Sequence, residues 1–91
     1  MNDEKISVFI ISPEKVVFDG PAISITCHNE KGTFDILSEH SSFMSMIDKK
    51  IIIREQDDKA TVIPIEKAIL QMVKNHLVIM INVDVSKEDL G

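Results

Sequence analysis

Apolar and polar residues alternate along most of the chain, a pattern that is typical of half-buried β-strands. The alternation is clearest over residues 23–28, where every second side chain belongs to one apolar set: Ile23, Ile25 and Cys27. Ile and Val are frequent throughout, and β-branched residues favour strands over helices. The pattern therefore predicts a chain built almost entirely of strands.

Turn residues divide the pattern into short segments. Proline and paired polar residues interrupt it at Ser12-Pro13, at Gly20-Pro21, at Asp48-Lys49 and at Asp57-Asp58, where turn chemistry is expected. The predicted strands are 5–11, 16–19, 23–28, 33–36, 44–47, 50–56, 59–65, 67–73 and 77–83. Two hairpins follow, one over residues 23–36 and one closed by residues 56–59.

Two of these segments need comment. Residues 67–73 also fit a helical spacing, but a helix there would have only about two turns, so a strand is preferred. Residues 77–83 are almost continuously apolar, which predicts a strand buried on both faces. Short strands at close spacing indicate an all-β sandwich or barrel. Residues 1–84 are expected to form this one domain, followed by an acidic tail over residues 85–91.

Composition narrows the possible functions. The net charge of −5 argues against a nucleic-acid partner, because phosphate binding needs clustered Lys and Arg. With one cysteine, no internal disulfide is possible. The longest apolar run, Leu77 to Ile81, is far shorter than the roughly 20 residues of a membrane helix. The acidic start of the chain is unlike a secretory signal.

No residue pattern in the sequence gives strong support for a catalytic or metal-binding site. Cys27 and His28 are adjacent, and consecutive strand side chains point to opposite faces, so Cys27 is expected in the core. The run Ser38-Glu39-His40-Ser41 contains the residue types of a hydrolase triad, but triads are assembled from distant segments. His28, His40 and His76, with Glu30, lack metal-type spacing. No cofactor or metal is predicted, and the four phenylalanines (Phe9, Phe18, Phe34 and Phe43) are assigned to the core.

The stretch from Gly32 to Phe43 is the least periodic part of the chain. His40 is flanked by serines and Glu39 and is followed by Phe43 and Met44, so polar groups lie beside apolar ones. Such a mixture is typical of a docking edge. An ordinary loop with a buried phenylalanine explains the composition equally well, and both interpretations stay open at this point.

The order of these segments resembles the ε subunit of F-type ATP synthases. The opening, Ile6-Ser-Val-Phe-Ile-Ile-Ser-Pro-Glu-Lys-Val-Val-Phe-Asp-Gly20, is similar to the family's first strand, Ser/Thr-Pro-Glu turn, Val-Phe pair and glycine. Glu30-Lys31-Gly32-Thr33-Phe34, followed by Ile36-Leu37-x-x-His40, is similar to the family's Glu-Gly-x-x-Gly-Ile-Leu-Pro-Gly-His segment. The resemblance covers about residues 5–84.

Several family glycines and prolines are replaced. Asp35 stands where the family usually has glycine, and Ser38-Glu39 stands where it has Pro-Gly. Ser41-Ser42 stands where the family has Ala-Pro, Asp48-Lys49 where it has a Pro-Gly turn, and Lys67-Ala68 where it has Gly-Gly. The resemblance is therefore to a divergent or alternative form of the subunit.

The resemblance implies a flattened β-sandwich of eight to ten short strands, here without the C-terminal helical hairpin of many relatives. It implies a non-catalytic rotor subunit of the central stalk, which couples the γ subunit to the c-ring during ATP synthesis and ion transport. It also implies a peripheral position on the cytoplasmic side of the bacterial inner membrane, with contact to the membrane only through the complex.

Residue by residue, the resemblance implies two contact surfaces. The γ-facing residues would be Ser12, His40 and Ser45. The c-ring-facing residues would lie in the hairpin turn: Asn29, Glu30, Lys31, Gly32 and Thr33. Two contact surfaces on so small a domain would also account for exposed apolar residues such as Met44 and Met46, which fit equally well as core residues.

Two other functions compete with the rotor role. The first is a stand-alone β-sandwich interaction module on the same scaffold, which the replaced glycines and prolines favour. The second is a small hydrolase that uses Ser38 or His40, for which no convergent second segment is present in the sequence.

Overall fold

A computed structural model describes residues 5–38 and 42–82. These residues form seven β-strands and no helix, which confirms the predicted all-β class. The strands are β1 (Ile6–Ile11), β2 (Val16–Ala22), β3 (Ser24–Asn29), β4 (Gly32–Leu37), β5 (Phe43–Arg54), β6 (Ala60–Val73) and β7 (His76–Ile81). The predicted hairpin over residues 23–36 is β3–β4, and residues 67–73 are strand.

All seven strands belong to one sheet, in the order β2-β1-β7-β6-β5-β3-β4. Only β1 and β7 run parallel to each other; the other pairs are antiparallel. The long hairpin β5–β6 carries different neighbours at its two ends. β7 pairs with Ala68–Val73 of β6, and β3 pairs with Ile52–Arg54 of β5.

These pairings divide the sheet into two halves, named here by strand number. The five-strand half contains β2, β1, β7, Ala68–Val73 of β6 and Phe43–Asp48 of β5. The four-strand half contains β4, β3, Lys50–Arg54 of β5 and the β6 residues opposite them. The β5–β6 register shifts between Asp48 and Lys50, and Lys49 has a φ of 72°. Such an irregularity bends a strand.

The register shift changes which β6 side chains face inward. Before it, Ile63 and Ile65 pack against the core; after it, Ala68, Leu70 and Met72 are buried. The inward side chains of both halves form one cluster. It contains Ile6, Val8, Ile10, Ala22, Ile25, Cys27, Ile36, Ile47, Ile51, Ile53, Ala68, Leu70, Met72, Leu77, Ile79 and Ile81. One core between the two halves is the arrangement of a β-sandwich.

The strand count differs from the prediction because two predicted breaks do not end a strand. Segments 44–47 and 50–56 are parts of β5, and segments 59–65 and 67–73 are parts of β6. Asp48-Lys49 was predicted to be a turn and instead forms the bend within β5. β2 also continues through Gly20-Pro21 to Ala22, which is compatible with its place at the sheet edge, where proline is tolerated.

Burial of the last strand also differs from the prediction. β7 was predicted to be buried on both faces, but its side chains alternate. Leu77, Ile79 and Ile81 are inside, while Val78 and Met80 are 36% and 38% exposed. The prediction is therefore wrong for the isolated chain. Val83 and the tail over residues 85–91 lie outside the described residues.

Candidate partner-binding surface

The outer side of the five-strand half carries a continuous row of apolar side chains. Strand pairing places them side by side across five strands: Val16, Ile11, Met80, Ile69 and Met46. Val16 and Met46 are more than half exposed. No polar residue interrupts this row.

A second row lies next to the first. It contains Asp19, Phe9, Val78, Gln71 and Met44 in the same strand order. Met44 is the most exposed large apolar residue among those described, at 65%. We call the eight apolar side chains of the two rows the apolar face: Val16, Ile11, Met80, Ile69, Met46, Phe9, Val78 and Met44.

The sequence produces this face because three of its strands carry apolar residues at both their inward-facing and their outward-facing positions. In β1, Phe9 and Ile11 point away from the core that Val8 and Ile10 enter. β6 and β7 follow the same rule, with Ile69 between two buried residues. Contiguous exposed apolar patches are uncommon on monomeric proteins and mark interaction surfaces.

The outer side of the four-strand half has different chemistry. One row across it reads Val62, Ile52, Thr26 and Asp35. Arg54 Nη1 donates to Thr26 Oγ1 at 2.9 Å, and Thr26 Oγ1 donates to Asp35 Oδ1 at 2.6 Å. We call this side the polar face. The polar groups of Arg54, Thr26 and Asp35 are thus partnered within the domain.

Ser12 lies in the turn between β1 and β2. Its hydroxyl accepts the backbone N–H of Glu14 at 3.3 Å and of Lys15 at 3.2 Å, which stabilises the turn. Ser45, the second predicted γ-facing residue, lies on β5, three strands away from β1. Three strand spacings amount to roughly 14 Å. The structure therefore does not bring Ser12 and Ser45 into contact.

Ser45 instead contacts the predicted c-ring-facing turn. Asn29 Nδ2 donates to Ser45 Oγ at 3.3 Å, and Ser45 Oγ donates to the carbonyl of Met46 at 3.2 Å. Asn29 Oδ1 also accepts the backbone N–H of Lys31 at 2.8 Å. Residues assigned to two different partners are thus neighbours, and the two predicted contact surfaces meet here.

The rest of the turn is open to solvent. Glu30 and Lys31 are exposed between β3 and β4, and Thr33 is exposed on β4. Gly32 has a φ of 122°, a conformation that strongly favours glycine. The sequence therefore holds a projecting turn of defined shape at this end of the sheet.

A groove lies between this turn and the first half of β5. Its volume is about 710 Å³. Phe34 and Phe43 contribute apolar walls, and both also pack against the core. Charged groups from the turn and from the bend of β5 line it as well: Glu30, Lys31 and Asp48.

The third predicted γ-facing residue, His40, lies outside the described residues. So do Glu39 and Ser41, while Ser38 is half-buried at the end of β4. The docking-edge and hydrolase interpretations of this stretch therefore stay predictions.

Cys27 lies in the core as predicted, with 1% of its surface exposed. Burial, and to a smaller extent the nearby Asp35 carboxylate, raise the pKa of its thiol to about 12. A thiol with a raised pKa is a poor nucleophile. His28 points the other way, and its Nδ1 lies 2.6 Å from Asp48 Oδ1.

Among residues 5–38 and 42–82, no group of three or more His, Cys, Asp or Glu side chains is placed to hold a metal ion. The same ranges contain no helix of the length and apolarity needed to cross a membrane.

The apolar face was not predicted from the sequence. The signal for it lies in segments that are apolar at consecutive positions, most clearly residues 77–83. That pattern was interpreted as burial on both faces within the chain. Phe9 was likewise assigned to the core, whereas it faces outward; the other three phenylalanines pack against the core as predicted.

The fold and its contact surfaces define a small all-β interaction domain. Residues 5–86 match the family described as "ATP synthase, Delta/Epsilon chain, beta-sandwich domain". The chain therefore belongs to the β-sandwich domain family of ATP synthase δ and ε chains, which confirms the resemblance noted from its motifs.

Individual relatives agree with this family. An ATP synthase epsilon chain of Sulfurimonas denitrificans is 36% identical over 56 residues, which is 62% of this chain and 43% of the relative. An ATP synthase epsilon chain of Leptospira interrogans serovar copenhageni is 27% identical over 90 residues, 99% of this chain and 71% of the relative. The chain thus spans less than half of the first relative and under three-quarters of the second.

Solved structures show the same fold. A chain in the Euglena gracilis mitochondrial ATP synthase (OSCP/F1/c-ring) matches with a TM-score of 0.79 at 12% identity, covering 99% of this chain and 65% of that one. A chain in the Tetrahymena thermophila mitochondrial ATP synthase (central stalk/c-ring) matches with a TM-score of 0.69 at 17% identity, covering 89% of this chain and 66% of that one.

Proposed function

We propose that this chain is a non-catalytic central-stalk subunit of an F-type ATP synthase, which links the γ subunit to the c-ring so that ATP synthesis and ion transport stay coupled. Two of its curated relatives are named ATP synthase epsilon chain. Both fold neighbours come from ATP synthase assemblies that contain a c-ring. The proposed location is peripheral, on the cytoplasmic side of the bacterial inner membrane.

The apolar face carries this proposal. A standard protein interface buries roughly 800 Å² on each partner, and its centre is rich in apolar and methionine side chains. Met80, Val78 and Ile69 lie in the middle of this face, with Met46 and Val16 at its two ends, and a partner can cover them without unfolding any part of the domain. We assign this face to the γ subunit. The family resemblance gives Ser12, Ser45 and His40 as further γ-facing positions; the Ser45 side chain lies on the other side of β5 from Met44 and Met46 and bonds to Asn29.

The turn between β3 and β4 is assigned to the c-ring. Glu30 and Lys31 project from the domain and carry opposite charges. Such groups suit the polar loops of a membrane ring better than they suit an apolar interface. In this arrangement the subunit is structural, and the catalytic residues of the complex lie in other chains.

The test introduces a charge on either outer side of the sandwich. Met46→Asp places a carboxylate in the apolar face, and Val62→Asp places one on the polar face, where Val62 is similarly exposed. Both side chains lie in water in the free domain, so both variants are expected to fold. If the apolar face is the docking surface, Met46→Asp binds the γ subunit at least about tenfold more weakly, because a buried unpaired charge is costly.

The measurement is the affinity of the purified γ subunit for each variant by calorimetry, with circular dichroism to check the fold. Val62→Asp should bind as the unmodified chain does. Equal weakening by both variants, or no weakening by Met46→Asp, contradicts this assignment. Failure of the unmodified chain to retain γ or the c-ring after gentle membrane extraction favours the alternative of a stand-alone interaction module.

A further inference from the structure

The end of β3 extends beyond its backbone pairing with β5. That pairing covers Ser24 to Thr26, opposite Ile52 to Arg54. β3 then continues with β4 as a two-stranded ribbon to the turn at Glu30 and Lys31. An isolated two-stranded ribbon is only marginally stable in water. Cys27 and Phe34 anchor the base of this ribbon in the core, so it is the direction of its outer end, from His28 to the turn, that depends on further side-chain contacts.

Two such contacts join the ribbon to β5. His28 Nδ1 lies 2.6 Å from Asp48 Oδ1, and since a carboxylate only accepts, the imidazole N–H donates. Asn29 Nδ2 donates to Ser45 Oγ at 3.3 Å. The His28 and Asp48 side chains are 29% and 40% exposed, so water competes only in part for this bond.

The β5 residues of these contacts lie at a defined place in the fold. Asp48 is the last β5 residue before the register shift against β6. Ser45 lies between Met44 and Met46, which belong to the apolar face. The contacts thus connect the turn to the same strand segment that carries part of the apolar face.

We propose that His28 and Asp48, with Asn29 and Ser45, form a clasp that positions the β3–β4 turn relative to the apolar face. The clasp rests on the proposed function in one respect: it fixes the geometry between the γ-binding surface and the c-ring-binding turn. His28 and Asp48 are positioning residues, which act through the placement of Glu30 and Lys31 and have no partner contact of their own.

The clasp couples the positions of the two contact surfaces. When the γ subunit binds the apolar face on β5, the clasp fixes the direction of the β3–β4 turn. Without it, the ribbon would sample several directions, and the c-ring would have to select one of them. The apparent affinity for the c-ring then falls in proportion to the fraction of molecules whose turn points in the binding direction.

The first experiment tests the clasp without any partner. Hydrogen exchange of the full chain is followed for the backbone amides of residues 28–33 in His28→Ala, Asp48→Ala and the double variant. One lost hydrogen bond is expected to speed exchange about 2- to 10-fold. The double variant should be no faster than either single variant, because both remove the same bond.

The matched control is Asp35→Ala. It removes the Thr26–Asp35 hydrogen bond, which lies within the part of β3 that is backbone-paired to β5. The exchange rates of residues 28–33 should stay unchanged in this variant. Two outcomes contradict the proposed clasp: His28→Ala and Asp48→Ala leave those rates unchanged, or Asp35→Ala raises them as much as the two clasp variants do.

The second experiment measures both partners with the same variants. Asp48→Ala should weaken binding to the detergent-solubilised c-ring about 2- to 10-fold, by the same opening of the ribbon. Its affinity for the γ subunit should stay unchanged. Faster exchange together with unchanged c-ring affinity overturns the positioning role. An unmodified chain that binds neither partner overturns the proposed function, and the exchange rates then still decide whether the clasp exists.

Discussion

The two outer faces of the sandwich are made partly by the same two strands, yet their chemistry differs. Met46 and Val62 lie on β5 and β6 on different sides of the register shift and are similarly exposed. Around Met46 every neighbour in the row is apolar. Around Val62 the row ends in Thr26 and Asp35, which bond to each other and to Arg54.

The two faces differ in whether the isolated domain alone accounts for their composition. On the polar face, Arg54, Thr26 and Asp35 bond to one another within the isolated domain. The apolar face leaves side chains such as Met44 in water, which gains nothing for the folded monomer. The stability of the domain alone does not explain this composition, whereas the proposed contact with the γ subunit would.

The largest expected effect comes from comparing the two sides of β7. Leu77 is fully buried, and Leu77→Ala should lower the free energy of unfolding by about 2–5 kcal/mol. Val78 belongs to the apolar face, and Val78→Ala should change it by about 0.5 kcal/mol or less. Urea unfolding of both variants measures this difference. A cost at Val78 close to that at Leu77 would mean that the apolar face is covered within the chain itself.

The core between the faces gives the second prediction. Burial holds the Cys27 thiol protonated up to a pKa of about 12, against 9.0 for an unperturbed thiol. Between these values the unfolded chain loses the proton and the folded chain keeps it. Stability should therefore fall as pH rises above 9, by at most about 1.4 kcal/mol per pH unit from this group.

Comparison with Cys27→Ala isolates that contribution. Both proteins are unfolded in urea at pH 8 and at pH 10. The unmodified chain should lose more stability between the two pH values than the variant does. An equal loss in both would show that the thiol is not held protonated by burial.

Features that depend on residues close together in the sequence were predicted, and features that depend on residues far apart in the sequence were not. Strand positions and the β3–β4 hairpin follow from local alternation and turn residues, and they were predicted. The merging of segments 44–47 and 50–56 into β5 was not, because Asp48-Lys49 has the composition of a turn. β5 continues through this bend because it pairs with β6 on both sides of it, which the local composition does not reveal.

The candidate site shows the same limit. The turn from Asn29 to Thr33 is local and was predicted as the turn of the β3–β4 hairpin. The contact between Asn29 and Ser45 joins residues 16 positions apart and depends on the bend in β5. The apolar face joins five strands whose order a single sequence does not provide. Family resemblance supplied individual positions, but no pattern along the chain groups Val16 with Met46.

The third prediction compares one residue from each face. Thr26→Val removes a hydroxyl that links Arg54 and Asp35, and it should lower stability by about 1 kcal/mol. Met46→Ser should leave stability within about 0.5 kcal/mol of the unmodified chain. Binding to the γ subunit should show the reverse order. Thermal unfolding and calorimetric titration are run on the same samples, and parallel effects in both measurements would remove the distinction between the faces.

The smallest effect concerns the tight turns that end the long hairpins of the two halves. The β5–β6 turn has positive φ at Asp57 and Asp58, and the β6–β7 turn has positive φ at Lys74 and Asn75. These are the angles of type I′ turns, which favour glycine at the second position.

Asp58→Gly should raise the free energy of unfolding by about 0.5 kcal/mol, since relief of left-handed strain outweighs the greater freedom of the unfolded chain. Asn75→Gly should change it less, because asparagine already tolerates this conformation. Urea unfolding of both variants measures the difference. A larger gain at Asn75 than at Asp58 would place the greater backbone strain in the five-strand half, beside the apolar face.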